Sequence, residues 1–211
     1  MNVKNQLYKN KYLIPSTRFK GYDYSKPGYY FITICSYKRV SIFSEIIGIY
    51  KNNQIIDASV ELSDIGEIIE KEWLKTAEIR KNIKLDQYVI MPNHVHGIIQ
   101  ITHQMNNDFK NYGAVETPWQ GVSTQAVSMQ NNFLRIKKSW KPNSISSIIN
   151  QFKTACTKKF RQKYNSQNNV WQSRFHDRII RNPEELNKIR KYIIDNPMKW
   201  SYDKNNPKNI L

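Results

Sequence analysis

The run YVIMPNHVHGIIQI, residues 88–101, constrains this chain more than any other stretch. Two apolar, strand-like runs stand back to back and break near Met91-Pro92. Pro92 has no N–H to give to a sheet ladder, so it marks an edge, a bulge or a turn between them. Side chains alternate along a strand, so His94 and His96 fall on one face of the second run. A fold built on this sequence must therefore accept two imidazoles side by side on a sheet.

The flanking segments supply the rest of a small α+β domain. GYYFITIC, from Gly28 to Cys35, is rich in aromatic and β-branched residues and predicts a strand. EIIGIYKNNQIIDA predicts a hairpin with Asn52-Asn53 at its turn. SDIGEIIEKEWLK predicts a helix with Ile65, Ile68, Ile69 and Trp73 on one stripe, capped by Ser63 or Asp64. NSISSIINQFKTACTKKFRQKY predicts an amphipathic helix that buries Ile145, Ile148, Ile149, Phe152, Cys156 and Phe160. VWQSRFHDRIIR is strand-like. NPEELNKIRKYIIDNP is a helix with Asn182 as N-cap, Pro183 at the first position and Pro197 as its stop. The order, with the hairpin as an addition, is strand, helix, strand, strand, helix, strand, helix. It predicts an α+β domain with helices on one side of an antiparallel sheet.

Domain boundaries follow from composition. Residues 1–20 form a basic arm, residues 21–200 one domain, and residues 201–211 a tail. Residues 103–142 are rich in Asn, Gln, Ser and Thr and predict a mobile polar insertion, with Trp119 and Trp140 inside it. No apolar run approaches the ~20 residues a membrane span needs, and the N-terminus has no signal-peptide core, so a cytoplasmic protein is expected. Cys35 and Cys156 sit in apolar segments and predict buried free thiols rather than a disulfide.

Charge points to the partner. Thirty-three Lys and Arg face seventeen Asp and Glu, a net of +16. Between Thr117 and His176 ten basic residues occur and no acid. Clustered cations gain affinity by releasing the counterions of a phosphate backbone, so a nucleic acid is the expected partner. Lys153, Lys158, Lys159, Arg161, Lys163 and Arg174 are the candidate phosphate contacts.

Two histidines at i and i+2 read either as a structural pair or as two ligands of one ion. A structural zinc needs about four protein ligands, and His103 and His176 lie in a loop and a remote strand. A catalytic ion with open positions fits better. Tyr192 and Asn196, four residues apart on the last helix, flank its apolar stripe of Leu186, Ile189 and Ile193. They are packing and stop residues, or they face the histidines.

YVIMPNHVHGI and YIIDNP together resemble the single-tyrosine HUH transposases, in particular the REP-associated tyrosine transposases. GYYFITIC, SIINQFK, VWQSRFHDRIIR and YIIDNPMKW are similar to the same group, so the resemblance spans Gly21 to Trp200. It implies a ferredoxin-like fold and Tyr192 as the nucleophile. It also implies His94, His96 and Asn196 as ligands of Mg²⁺ or Mn²⁺. The implied substrate is single-stranded DNA beside a hairpin, cut and rejoined through a 5′-phosphotyrosine. The insertion and the added hairpin depart from the compact pattern, and a monomer or a homodimer is compatible with it. A catalytically silent DNA-binding protein and a metal-dependent hydrolase that uses water remain the alternatives.

Overall fold

The computed structural model describes residues 18–19, 21–51, 54–103 and 141–209. The Asn52-Asn53 turn, the insertion with Trp119 and Trp140, and most of the basic arm lie outside them.

Among the described residues, six strands and three α-helices follow the expected order. Strands β1 (Gly28–Cys35), β4 (Ile83–Met91), β5 (His94–Ile101) and β6 (His176–Ile180) form one sheet in the order β4-β5-β1-β6. Every neighbouring pair is antiparallel. With α1 (Asp64–Ile79) leading from β1 to β4 and α2 (Ile145–Tyr164) from β5 to β6, this is the ferredoxin-like arrangement of two interlocked split βαβ units. Strands β2 (Ser44–Lys51) and β3 (Gln54–Leu62) form a separate two-stranded ribbon.

Local chemistry sets the helix boundaries. Ser63 Oγ accepts the Gly66 N–H at 3.1 Å and opens α1. Ser144 caps α2, and Asn165 ends it in the left-handed conformation at φ 44°. Asn182 Oδ1 accepts the Glu185 N–H at 2.8 Å and opens α3 (Pro183–Ile194). Each cap satisfies an amide that has no partner inside its helix.

Helices α1 and α2 cover one face of the sheet. Their side chains Ile69, Trp73, Ile148, Ile149, Phe152 and Cys156 pack on Tyr30, Ile32, Ile34, Val95 and Ile99. Cys156 is buried as expected, whereas Cys35 is only half-buried, and neither is bridged. Gly97 sits directly beneath the fully buried Trp73 indole, and a Cβ there would overlap the ring. Gly97→Ala should therefore lower the urea midpoint of unfolding, with a cost of about 1–3 kcal/mol.

The expectation of helices on one side needs correction. Helix α3 lies on the opposite face, where Leu186, Ile189 and Ile193 pack with Ile98, Ile180, Phe31 and Val89. The sheet is apolar on both faces, and both must be covered. The residues read as a tail are also part of the fold. Pro197–Tyr202 and Pro207–Asn209 form short 3₁₀ turns, and Asn205 and Asn206 are buried.

Candidate metal and tyrosine site

The second face of the sheet, beyond the apolar patch under α3, carries the histidines. His94 and His96 are both buried, with ring centroids 4.4 Å apart. Phe31 stacks on His96 at 5.2 Å from the neighbouring strand, and Trp200 lies 6.0 Å from His94. Burial drives the His94 pKa down to about 3, with Arg39 and Lys204 adding to the effect. Burial also holds His96 well below its ordinary range, helped by His94. Both rings are neutral near pH 7 and keep a lone pair for a cation.

The tautomer of His94 follows from its neighbour. Asn93 Nδ2 donates to two carbonyls, Arg39 O at 2.9 Å and Asn205 O at 2.6 Å. Its Oδ1 is therefore the acceptor facing His94 Nδ1 at 2.9 Å, so Nδ1 carries the proton. Nε2 then holds the lone pair, and it is buried with no hydrogen-bond partner among the described residues. On His96 the Thr33 hydroxyl bonds Nδ1 at 2.9 Å, which leaves Nε2 facing the site. Metal-binding histidines are commonly oriented by such outer partners.

Helix α3 brings Tyr192 across this face. Its hydroxyl is 3.2 Å from His96 Nε2, and its ring meets His96 and Phe31 edge-on. Burial pushes the phenol above its usual value, while a hydrogen bond from the Asn196 side chain acts in the opposite direction. Asn196 stands one turn later, buried, and its Oδ1 has no hydrogen-bond partner among the described residues. The sequence-predicted set of His94, His96, Tyr192 and Asn196 is thus gathered in one place.

Asp203 completes the cluster and was not anticipated. Its carboxylate oxygen and the two imidazole nitrogens all lie within 4.8 Å of one another. Two imidazoles, a carboxylate and an amide oxygen form a donor set that suits a divalent cation, and the unpartnered His94 Nε2 and Asn196 Oδ1 are the atoms such an ion would satisfy. No spacing links Asp203 to the earlier motifs, so nothing in the sequence selects it from other acids.

The predicted phosphate contacts do not converge here. Helix α2 lies on the far face of the sheet. Lys159 pairs with Glu72 at 2.5 Å and Lys163 with Asp64 at 2.7 Å. Lys153 donates to the carbonyls of Gln172 and Ser173. Lys158, Arg161 and Arg174 are exposed. The cations whose charge acts on His94 are instead Arg39 and Lys204. His176 is exposed at the start of β6, and Lys191 pairs with Asp195.

A protein of Haemophilus influenzae, described as an uncharacterized protein, is 31% identical over 188 residues, covering 89% of this chain and 90% of that one. The chain belongs to that protein's family. No family model matches the chain. Among solved structures, a REP-associated tyrosine transposase bound to a REP hairpin aligns over 90% of this chain and 77% of its own, at 17% identity and a TM-score of 0.47. A putative transposase from Deinococcus radiodurans R1 aligns over 85% and 97%, at 12% identity and a TM-score of 0.35.

Placement of Tyr192 depends on a tether between α3 and β4. The β4–β5 register slips between Leu85 and Tyr88, a bulge that contains Asp86. Arg190 grips that carboxylate through Nε at 2.9 Å and Nη2 at 2.6 Å. This grip holds the Asp86 carboxyl below the usual carboxylate range. On acidification the unfolded chain takes up the proton first, so the stabilisation is present above ~4 and is lost as pH falls through the lowered folded value. Asp86→Asn should be less stable than wild type in urea at pH 7, and the gap should narrow as pH falls below ~4. An undiminished gap in acid would assign the loss to packing rather than to the ion pair.

Proposed function

We propose that this protein cleaves and rejoins single-stranded DNA, with Tyr192 as nucleophile and a divalent cation, Mg²⁺ or Mn²⁺, held by His94 and His96 together with Asp203 and Asn196. The reading rests on one observation above the others. A tyrosine hydroxyl meets the imidazole of a buried His pair whose second member keeps an unpartnered nitrogen. The HUH-like triplet with the downstream YIIDNP motif and the +16 charge support DNA as the substrate.

A bound cation would neutralise charge on a phosphate oxygen. The protein's own groups do the rest. Neutral His94 and His96 offer lone pairs, and Asn93 and Thr33 keep those lone pairs aimed at the site. Tyr192, 39% exposed, sits at the rim where a bent strand reaches it. Its oxygen attacks phosphorus, the bond to the 3′-oxygen breaks, and a 5′-phosphotyrosine ester forms. The phenolic proton leaves to solvent at the open rim, and the departing 3′-oxygen takes one up. The Asn196 amide favours the phenolate form that attacks. The ester keeps the energy of the broken bond, so another 3′-hydroxyl can rejoin the strand. Exposed Lys and Arg would supply affinity but not chemistry, so binding to a DNA hairpin should weaken steeply between 50 and 200 mM salt, about 10³-fold if six phosphates are contacted.

The direct test is covalent trapping. Labelled single-stranded hairpin DNA with Mn²⁺ should give a denaturation-resistant protein–DNA band, and EDTA should remove it. Free cleaved strands with no band would turn the reading to a hydrolase.

A further inference from the structure

We infer that Asn93 is the positioning residue that joins the two halves of the site: it orients His94 and anchors the C-terminal segment that delivers Asp203. The inference rests on the metal-site reading above.

Asn93 is fully buried, and its side chain uses both donors and its acceptor. Its own carbonyl accepts the Ser36 N–H at 2.8 Å, which ties the β4–β5 turn to the end of β1. One Nδ2 proton goes to Arg39 O and the other to Asn205 O, so a single amide clasps two segments remote in sequence. The clasp is closed on its outer side by Arg39, whose Nη1 donates to Asn205 Oδ1 at 2.9 Å. Asn205 in turn gives its N–H to Asp203 Oδ1 at 2.6 Å. The path from the His94 ring to the Asp203 carboxylate thus runs through Asn93 and Asn205, each link a hydrogen bond between fixed groups.

This arrangement answers a geometric need. Asp203 lies nine residues beyond Ile194, the last residue of α3, and just past the 3₁₀ turn Pro197–Tyr202, outside any helix or strand. The stretch from Asp203 to Asn206 is irregular, and only a few of the conformations open to such a stretch bring the carboxylate to the imidazoles. Hydrogen bonds from a fully buried amide at the base of the sheet select one of them. Because the same amide orients His94, the imidazole and the carboxylate are presented together. Asn93 touches neither the cation nor the DNA in this scheme and acts through its two neighbours.

Asn93→Asp separates the two duties, because it keeps an acceptor for His94 Nδ1–H and loses both donations. Mn²⁺ binding to the DNA-free protein, by calorimetry, should weaken about 10–100-fold. Amide exchange at residues 203–206 should quicken while exchange in β1 and β5 stays slow. In an Asp203→Ala background the same substitution should cost less than about threefold, because the segment no longer carries a ligand. An equal cost in both backgrounds would overturn the anchor role, as would unchanged Mn²⁺ affinity alongside faster exchange at 203–206. Asn205→Ala, which removes only the outer half of the clasp, covers the case of an unfolded Asn93→Asp. It should also weaken Mn²⁺ and quicken exchange at 203–206, and no change in either would count against the inference. A wild-type protein that binds no Mn²⁺ would overturn the metal reading itself.

Discussion

Tyr192→Phe is expected to leave the protein folded and to abolish the covalent DNA adduct, lowering strand cleavage by about 10⁴-fold or more. The substitution removes one oxygen at a rim position. Its ring contacts with His96 and Phe31 survive, so the helix α3 packing should hardly change. Among the described residues, the bonds lost are those of the hydroxyl to His96 Nε2 and to Asn196. Mn²⁺ affinity should stay within a few-fold of wild type, because no proposed ligand is replaced. Adduct formation that persists in Tyr192→Phe would assign the nucleophile to another residue. Cleavage that persists without adduct would mean that water attacks.

His94→Ala should do the reverse: Mn²⁺ affinity should drop by at least about 100-fold and cleavage should disappear, while hairpin DNA is still bound. The ring is fully buried and, among the described residues, supplies the one imidazole nitrogen of the pair with no protein partner. Its removal also leaves Asn93 Oδ1 facing a cavity, which should cost about 1–3 kcal/mol of stability. A thermal melt therefore belongs beside the binding measurement. If DNA binding falls as far as Mn²⁺ binding in a still-folded variant, His94 serves the DNA-binding surface rather than the chemistry.

The two substitutions separate nucleophile from cation because the residues stand on different elements. His94 is fixed in β5 by the sheet ladder and by Asn93, whereas Tyr192 rides on α3 and is held by the Asp86–Arg190 pair and by the packing of Leu186 and Ile193.

Much of this was written in short-range pattern. The two-residue alternation along HVHGIIQI places His94 and His96 on one face without reference to anything else. The four-residue spacing of Tyr192 and Asn196 places them on one side of a helix. Ser63, Ser144 and Asn182 mark helix starts because a capping oxygen bonds an amide only three residues on. Only the tertiary structure decided what those faces meet. The stripe of Leu186, Ile189 and Ile193 requires a buried face but not a particular one, and β1 offers Tyr30 and Ile32 on one side and Phe31 on the other. Helix α3 took the side left open by α1 and α2, and that choice brought Tyr192 to His96. It also put the basic face of α2 behind the sheet, where Lys159 and Lys163 neutralise acids of α1. Asp203 and the Asn93 clasp were invisible for the same reason. Asp203 meets His94 and His96 from over a hundred residues away, Asn93 bonds Arg39 at a separation of 54 residues and Asn205 at 112, and a contact between remote groups leaves no period in the chain.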